Sequence, residues 1–510
     1  MATPAENLAQ SLEALHTLQQ TEKIVAIRST DLTRTHRERL IKNGFLKEVL
    51  KGWYIASRPD ERPGDTTGWY ASFWQFCASY LQERFGDQWV LSPEQSLALH
   101  SGNWVVPGQL LVRSPRANNN ETKLLFNTTL FDIRVPLPAD DEIEVKEGLR
   151  MYSLAAALVF CSPVYFTRSA MDARNVLSLV RDASDLLAIL LRGGHTVVAG
   201  RLAGAFRNLG NDRMADELIQ TMRLAGYEVR EEDPFTAKLP HILSFRETSP
   251  YVNRIRLMWQ SMRENIVEHF PVAPGLPQDL DAYLKQVDDA FVSDAYNSLS
   301  IEGYQVTPAL IERVRQGRWN PDQVESDQDQ KNALAARGYW QAHQAVKQTI
   351  QAILQGQNAG EAVENDHRTW YRELFAPSVS IGLLKASDLA GYRNGQVYIR
   401  GSKHVPLNRD AVRDTMPVFF ELLQAEPEPA VRVVLGHFIF VYIHPYMDGN
   451  GRIGRFLMNA MLASGGYPWT IIPLSDRSRY MQALEKASAE QDITNFAVFL
   501  ADLVRKNQTK

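Results

Sequence analysis

The sequence predicts a mainly α protein in which a helical second half follows an α+β first half. Three observations carry this. Val431 to Ile443 is apolar almost all round, as a helix buried in a core should be. Leu280 to Glu302 keeps helical periodicity up to a natural stop at Gly303. Short strand-like runs gather in the first half, at Phe45–Ile55, Gln109–Arg113 and Phe131–Val135.

A chain of 510 residues exceeds one ordinary core. Two connectors crowded with proline and glycine, Ser57–Gly68 and Pro271–Gln278, divide it into expected regions 1–57, 58–275 and 276–510. Apolar residues at 45% and charged residues at 22% exclude a collagenous, disulfide-stapled or disordered chain. A net charge of −4 excludes a molecule tuned as a whole for nucleic acid. Cys77 and Cys161 are too few for a disulfide framework or a cysteine-rich zinc site. The first ten residues lack a secretory pattern, and Leu154–Phe160 and Val433–Ile443 fall short of the roughly 18 to 20 apolar residues of a membrane span. The expectation is a soluble, cytoplasmic protein with no membrane partner.

Between Lys23 and Lys51, eight Lys or Arg stand against three acids. Ser29 can cap a short helix, Thr33–Ile41 forms a second, Asn43-Gly44 ends it in a left-handed turn, and Phe45–Ile55 folds as a hairpin turning near Lys51-Gly52. This succession resembles the winged helix-turn-helix of AbiE-type antitoxins. The resemblance implies a DNA partner, with Arg34, Arg37, Arg39, Lys42 and Lys51 as candidate contacts. The alternative is a solvated basic helix in a protein-interaction module. Downstream, Arg201–Phe235 reads as two helices stopped by Gly210 and Gly226, without a catalytic constellation.

The chemistry gathers after Ile443, in His444-Pro445-Tyr446-Met447-Asp448-Gly449-Asn450-Gly451-Arg452-Ile453-Gly454-Arg455. Helical periodicity resumes from Arg452 to Ala463, so the unit is helix, polar loop, helix. Gly449-Asn450-Gly451 lets backbone N–H groups converge at a helix start, an anion nest suited to phosphate. Arg452 and Arg455, three apart, share a helix face and offer forked donors to one polyphosphate. Asp448 is a hard oxygen ligand suited to magnesium. His444 can take a proton from an attacking hydroxyl, a contribution of roughly 10² to 10⁴ in rate.

HPYMDGNGRIGR resembles the Fic signature HxFx(D/E)GNGRxxR, with Tyr446 where Phe is common. The resemblance spans about Asp279 to Leu503 and implies an all-helical core with a β-hairpin flap. It further implies transfer of AMP from ATP to a hydroxyl of a target protein. In that scheme His444 is the general base and Asp448 holds magnesium. Gly449, Asn450, Gly451 and Arg452 bind the α and β phosphates, and Arg455 binds the γ phosphate. Asp388–Pro406 resembles the flap that pairs with the target segment, with Gln396, Val397, Tyr398, Ile399 and Arg400 alternating as a strand. Arg477–Ala487 resembles the helix that closes the adenine pocket, with Tyr480 as the base contact; Ser488 stands where many relatives carry Asn.

Glu302 ends its helix facing the negative pole of the dipole, where a carboxylate calls for a cation. Ser298–Gly303 resembles the (S/T)xxxE(G/N) inhibitory helix of the family. The resemblance assigns Ser298 and Glu302 to a brake in which the glutamate meets Arg455 and displaces the γ phosphate. In some relatives that glutamate also helps to remove AMP, so the reverse activity is open. Transfer of UMP, phosphocholine or a whole phosphate remains an alternative, as does a DNA-binding regulator whose C-terminal core senses ATP. The oligomeric state, a homodimer included, stays open.

Overall fold

The computed structural model describes residues 3–20, 24–61, 64–236, 247, 249–319 and 330–508. Lys23, part of the basic run, and Arg62 and Pro63 of the first connector lie outside them. The chain forms two compact units, Met1–Arg254 with Tyr398–Val405, and Ile255–Val397 with Pro406–Lys510. The division falls inside the helix Pro250–His269 rather than at either expected connector. Pro271–Gln278 is mostly exposed but tied at two points: Tyr467 donates to the Pro271 carbonyl at 2.6 Å and Gly275 N–H donates to the Gly465 carbonyl at 3.1 Å.

The first unit begins with the helix Pro4–Gln20 and an antiparallel sheet in the order Ile27–Arg28, Trp53–Ala56, Leu46–Leu50. The hairpin turns at Lys51-Gly52, with Gly52 at φ +83°. Thr33 caps the helix Arg34–Lys42 by accepting from His36 N–H. The short helix expected after Ser29 is absent. Asp31 accepts from the Arg28 backbone N–H at 2.8 Å and from its guanidinium at 3.1 Å, and these local bonds favour a turn. Leu15, Leu18, Ile27, Leu40, Leu46 and Tyr54 close a small core.

A four-stranded sheet follows, in the order Val90–Leu91, Gln109–Ser114, Thr129–Arg134, Glu121–Lys123, with its two central strands parallel. It shares a core with Trp69, Phe73, Phe76 and Leu81 of the helix Thr67–Phe85. Helices Thr196–Asn208 and Asp212–Leu224 end before Gly210 and Gly226, both at positive φ.

The described residues of the second unit hold helices and no strand. Leu280–Ile301, Gln330–Leu354 and Ala359–Ser380 pack against Asn450–Ser464, and Arg409–Ala425 packs against Pro429–Ile443. Pro429–Ile443 buries nearly every side chain, as its unbroken apolarity requires. No described helix is long and apolar enough to cross a membrane.

Candidate active site

Pro429–Ile443 ends at His444, which adopts a left-handed conformation (φ 55°, ψ 61°), and Pro445 prevents the helix from resuming. His444 Nδ1 donates to the Val441 carbonyl at 3.1 Å, leaving Nε2 as the lone-pair nitrogen. Burial pushes the ring's pKa down to about 4; the Val441 bond, Glu302 and Asp448 oppose this and the Arg393 charge adds to it. At neutral pH the imidazole is an uncharged proton acceptor.

The loop is braced from within. Tyr446 N–H donates to Asn450 Oδ1 at 2.9 Å, and Asn450 Nδ2 returns a bond to the Tyr446 carbonyl at 2.8 Å. The buried Tyr446 ring stacks on Tyr371 with centroids 3.9 Å apart. The Asn450 side chain, expected at a phosphate, is therefore occupied in shaping the loop, and what it can offer an anion is its backbone N–H. Gly449 (φ +83°) caps Asn450–Ser464 without a side-chain acceptor, so the first-turn N–H groups of that helix remain for a ligand or solvent.

Both arginines are buried. Arg452 lies between the rings of Tyr304 (5.3 Å) and Phe375 (5.0 Å) and donates to Asp448 at 3.3 Å. Arg455 Nε donates to Ser298 Oγ at 2.8 Å, and Nη2 donates to the Ser298 carbonyl at 3.1 Å and to Glu302 Oε1 at 2.6 Å. Arg455 Nη1 and Arg452 Nε have no partner among the described residues, two buried donors that an anion would satisfy. Burial alone would push the Glu302 carboxyl up, but the charges of Arg455 and Arg452 and the Arg455 hydrogen bond outweigh it and hold the pKa below the ordinary value. Gly451 makes room for this carboxylate: a Cβ there would stand 2.3 Å from Glu302 Oε1.

Asp448 is largely exposed and accepts from Gly449 N–H at 2.6 Å. No group of three His, Cys, Asp or Glu suited to a metal occurs among the described residues. A lone carboxylate beside a phosphate nest fits magnesium, which takes most of its remaining ligands from phosphate and water.

Other expected positions are placed differently. Tyr480 is buried, its hydroxyl 2.8 Å from His437 Nε2 and its ring among Phe496 and Phe499, so it stands in the core rather than as an open face for a base. Gln396–Arg400 forms no strand, correcting the expected hairpin. Side chains, not a backbone ladder, hold the arms of this loop: Gln396 Nε2 donates to the Pro406 carbonyl at 2.7 Å, and Arg393 Nη2 donates to the Leu407 carbonyl. Val397 is buried, Tyr398 is exposed, and Arg400 pairs with Asp65 at 2.9 Å. Ile399 lies in the same unpaired segment.

In the basic segment, Arg37 donates to the Ser29 carbonyl, and Arg39 donates to the Asn7 carbonyl at 2.7 Å and Ser11 Oγ at 2.9 Å. Arg34 pairs with Glu38 at 2.7 Å. Lys42 and Lys51 are exposed. Arg37 and Arg39 thus hold the fold rather than present a free face.

Sequence reasoning missed Arg393, Tyr304, Phe375 and Asp294. Asp294 is buried, accepts from Tyr339 OH at 2.7 Å, and precedes Ser298 and Glu302 at four-residue intervals; that spacing was the available signal. Burial, opposed by the Tyr339 hydrogen bond, raises its pKa to about 6.

Residues 362–462 match the Fic/DOC family. The chain is 40% identical over 119 residues to the protein adenylyltransferase Fic of Drosophila willistoni, covering 22% of this chain and 23% of that one. It is 29% identical over 222 residues to the protein of the same name from Drosophila virilis, covering 43% and 42%. The chain thus spans less than half the length of the curated relatives it matches. Among solved structures, a Fic domain containing signaling protein from Bacteroides thetaiotaomicron aligns with a TM-score of 0.35 at 19% identity, over 51% of this chain and 94% of that one. Fic-1 (residues 134–508) from C. elegans aligns with a TM-score of 0.36 at 18% identity, over 67% and 90%.

Proposed function

We propose that the chain is a protein adenylyltransferase that moves AMP from ATP to a hydroxyl side chain of a target protein, restrained by its own Glu302. The observation that carries this reading is the arrangement around the start of Asn450–Ser464: a helix N-terminus without a side-chain cap and two buried arginines, each keeping a nitrogen without a partner among the described residues, preceded by a neutral histidine.

The target oxygen attacks the α phosphorus, a new P–O bond forms, the bond to the bridging oxygen breaks, and pyrophosphate leaves. His444 Nε2 receives the hydroxyl proton, its tautomer set by the Nδ1 bond to Val441. The first-turn N–H groups, Arg452 and Arg455 balance the polyphosphate charge in a site that needs little reorganisation. Asp448 would hold magnesium, which supplies charge neutralisation to the phosphate oxygens when bound.

Glu302 occupies the Arg455 nitrogen that a γ phosphate would otherwise take, so ATP binds productively only when the end of Leu280–Ile301 gives way. Labelling with ATP carrying ³²P at the α position tests the reading: Glu302→Gly should gain label and His444→Ala should have none. The DNA-binding reading is less favoured, since Arg37 and Arg39 are spent on neighbouring backbone and Arg34 on Glu38.

A further inference from the structure

Arg393 is 2% exposed, yet no carboxylate among the described residues answers its charge. Its partners are four carbonyls: Nε donates to His444 O at 2.7 Å, the backbone N–H to Pro445 O at 2.9 Å, Nη1 to Gly395 O at 2.9 Å, and Nη2 to Leu407 O. Burying a guanidinium without a counterion is costly, and burial, with Arg413 nearby, draws its pKa down to about 10. A position that only filled space would take an apolar side chain at lower cost. We propose that Arg393 is a positioning residue for His444: one forked side chain fixes the backbone of the general base and clips together the two ends of the 395–407 loop, coupling the loop's geometry to the aim of the imidazole.

Two features give this bond its purpose. His444 holds a left-handed backbone, a conformation that is unfavourable for a residue other than glycine, so the peptide that follows must be held from outside. The His444 carbonyl receives that hold from Arg393 Nε, while the opposite edge of the guanidinium spans Gly395 and Leu407, on either side of the segment expected to meet the target. The charged groups that face the ring are Arg393, Glu302 and Asp448; Arg393 is the one that favours its neutral form.

The inference rests on the AMP-transfer reading for its purpose, so the experiment separates the two. In full-length Glu302→Gly protein, Arg393→Lys and Arg393→Met should each lower kcat for AMP transfer at least about tenfold while KM for ATP stays within about twofold, since a base displaced by about 1 Å can cost on the order of a hundredfold. The His444 imidazole, followed by NMR, should titrate at higher pH in Arg393→Met than in its parent, and at the parent's pH in Arg393→Lys, which keeps the charge. Unchanged kcat in an active parent, or a parallel loss of kcat, ATP binding and melting temperature with His444 titration unmoved, would overturn the inference. If the Met variant does not fold, the Lys variant alone decides it through the split between kcat and KM. An inactive parent counts against AMP transfer, and the His444 titration then decides Arg393: a shift in Arg393→Met supports it and no shift overturns it.

Discussion

Glu302 Oε1 lies 2.6 Å from Arg455 Nη2, and Ser298, one turn earlier, accepts from Nε through its hydroxyl and from the same Nη2 through its carbonyl. One helix end thus answers a buried cation within the proposed phosphate site. Glu302 keeps 29% of its side chain exposed, so solvent screens part of this ion pair and its release costs less than that of a fully buried one.

Removing Glu302 should activate more than removing Ser298. Glu302 meets the Arg455 guanidinium with an opposite charge as well as a hydrogen bond, whereas Ser298 offers a neutral hydroxyl and keeps its carbonyl bond to Arg455 after loss of that hydroxyl. The Glu302→Gly variant should show roughly tenfold or greater self-labelling, with Ser298→Ala between it and the parent, measured by initial rates at one ATP concentration. Equal rates for all three would remove the brake from the scheme.

The acid limb of the rate profile should lie unusually low. Burial depresses the His444 pKa from 6.5 to about 4, and a base must be unprotonated, so the rate falls only as pH drops through the folded value. The kcat of Glu302→Gly should be nearly flat from pH 6 to 8 and fall toward pH 4, whereas a histidine at its ordinary value near 6.5 would already lose rate below about pH 6.5. A midpoint at that ordinary value would show a solvated ring.

Stability should also fall as the solution is acidified from pH 6.5 toward 4. Burial lowers His343, His367, His437 and His444 to about 4, so in this window the unfolded chain binds protons that the folded chain does not. Asp294, raised to about 6, opposes them, because its folded form holds a proton that the unfolded form releases. Four groups outweigh one, and thermal melts across this range should give a melting temperature that rises with pH. A flat or opposite trend would contradict the burial of these rings.

In the first unit, Arg39→Ala should lower the melting temperature through about 1 to 2 kcal/mol of lost bonding between the helices Arg34–Lys42 and Pro4–Gln20. Should duplex DNA bind, Lys42→Ala and Lys51→Ala should each reduce the salt slope by about one. Unchanged stability of Arg39→Ala would show that its bonds contribute nothing to the fold.

Much of the second unit was legible because its signals are local. The apolar run before His444, the glycines around Asn450 and the stop at Gly303 each dictate backbone within a few residues, and the helices fall where those signals place them. Spatial partners were less legible. Arg393 looks like one more surface cation until the fold brings the carbonyls of His444 and Leu407 to it. Tyr480 carries a polar tip that sequence cannot place inside or outside, and packing against His437 places it inside. The alternation of Gln396–Arg400 suits a strand, but an alternating run becomes one only when another strand supplies the ladder, and none does so within the described residues.

Labelling Glu302→Gly protein with ATP carrying ³²P at the α phosphate, beside the Glu302→Gly/His444→Ala double variant, settles whether His444 serves AMP transfer. Label should enter the first protein and be absent from the second. Equal label in both, or label from γ-³²P ATP alone, would show that His444 is not the base or that the group moved is not AMP.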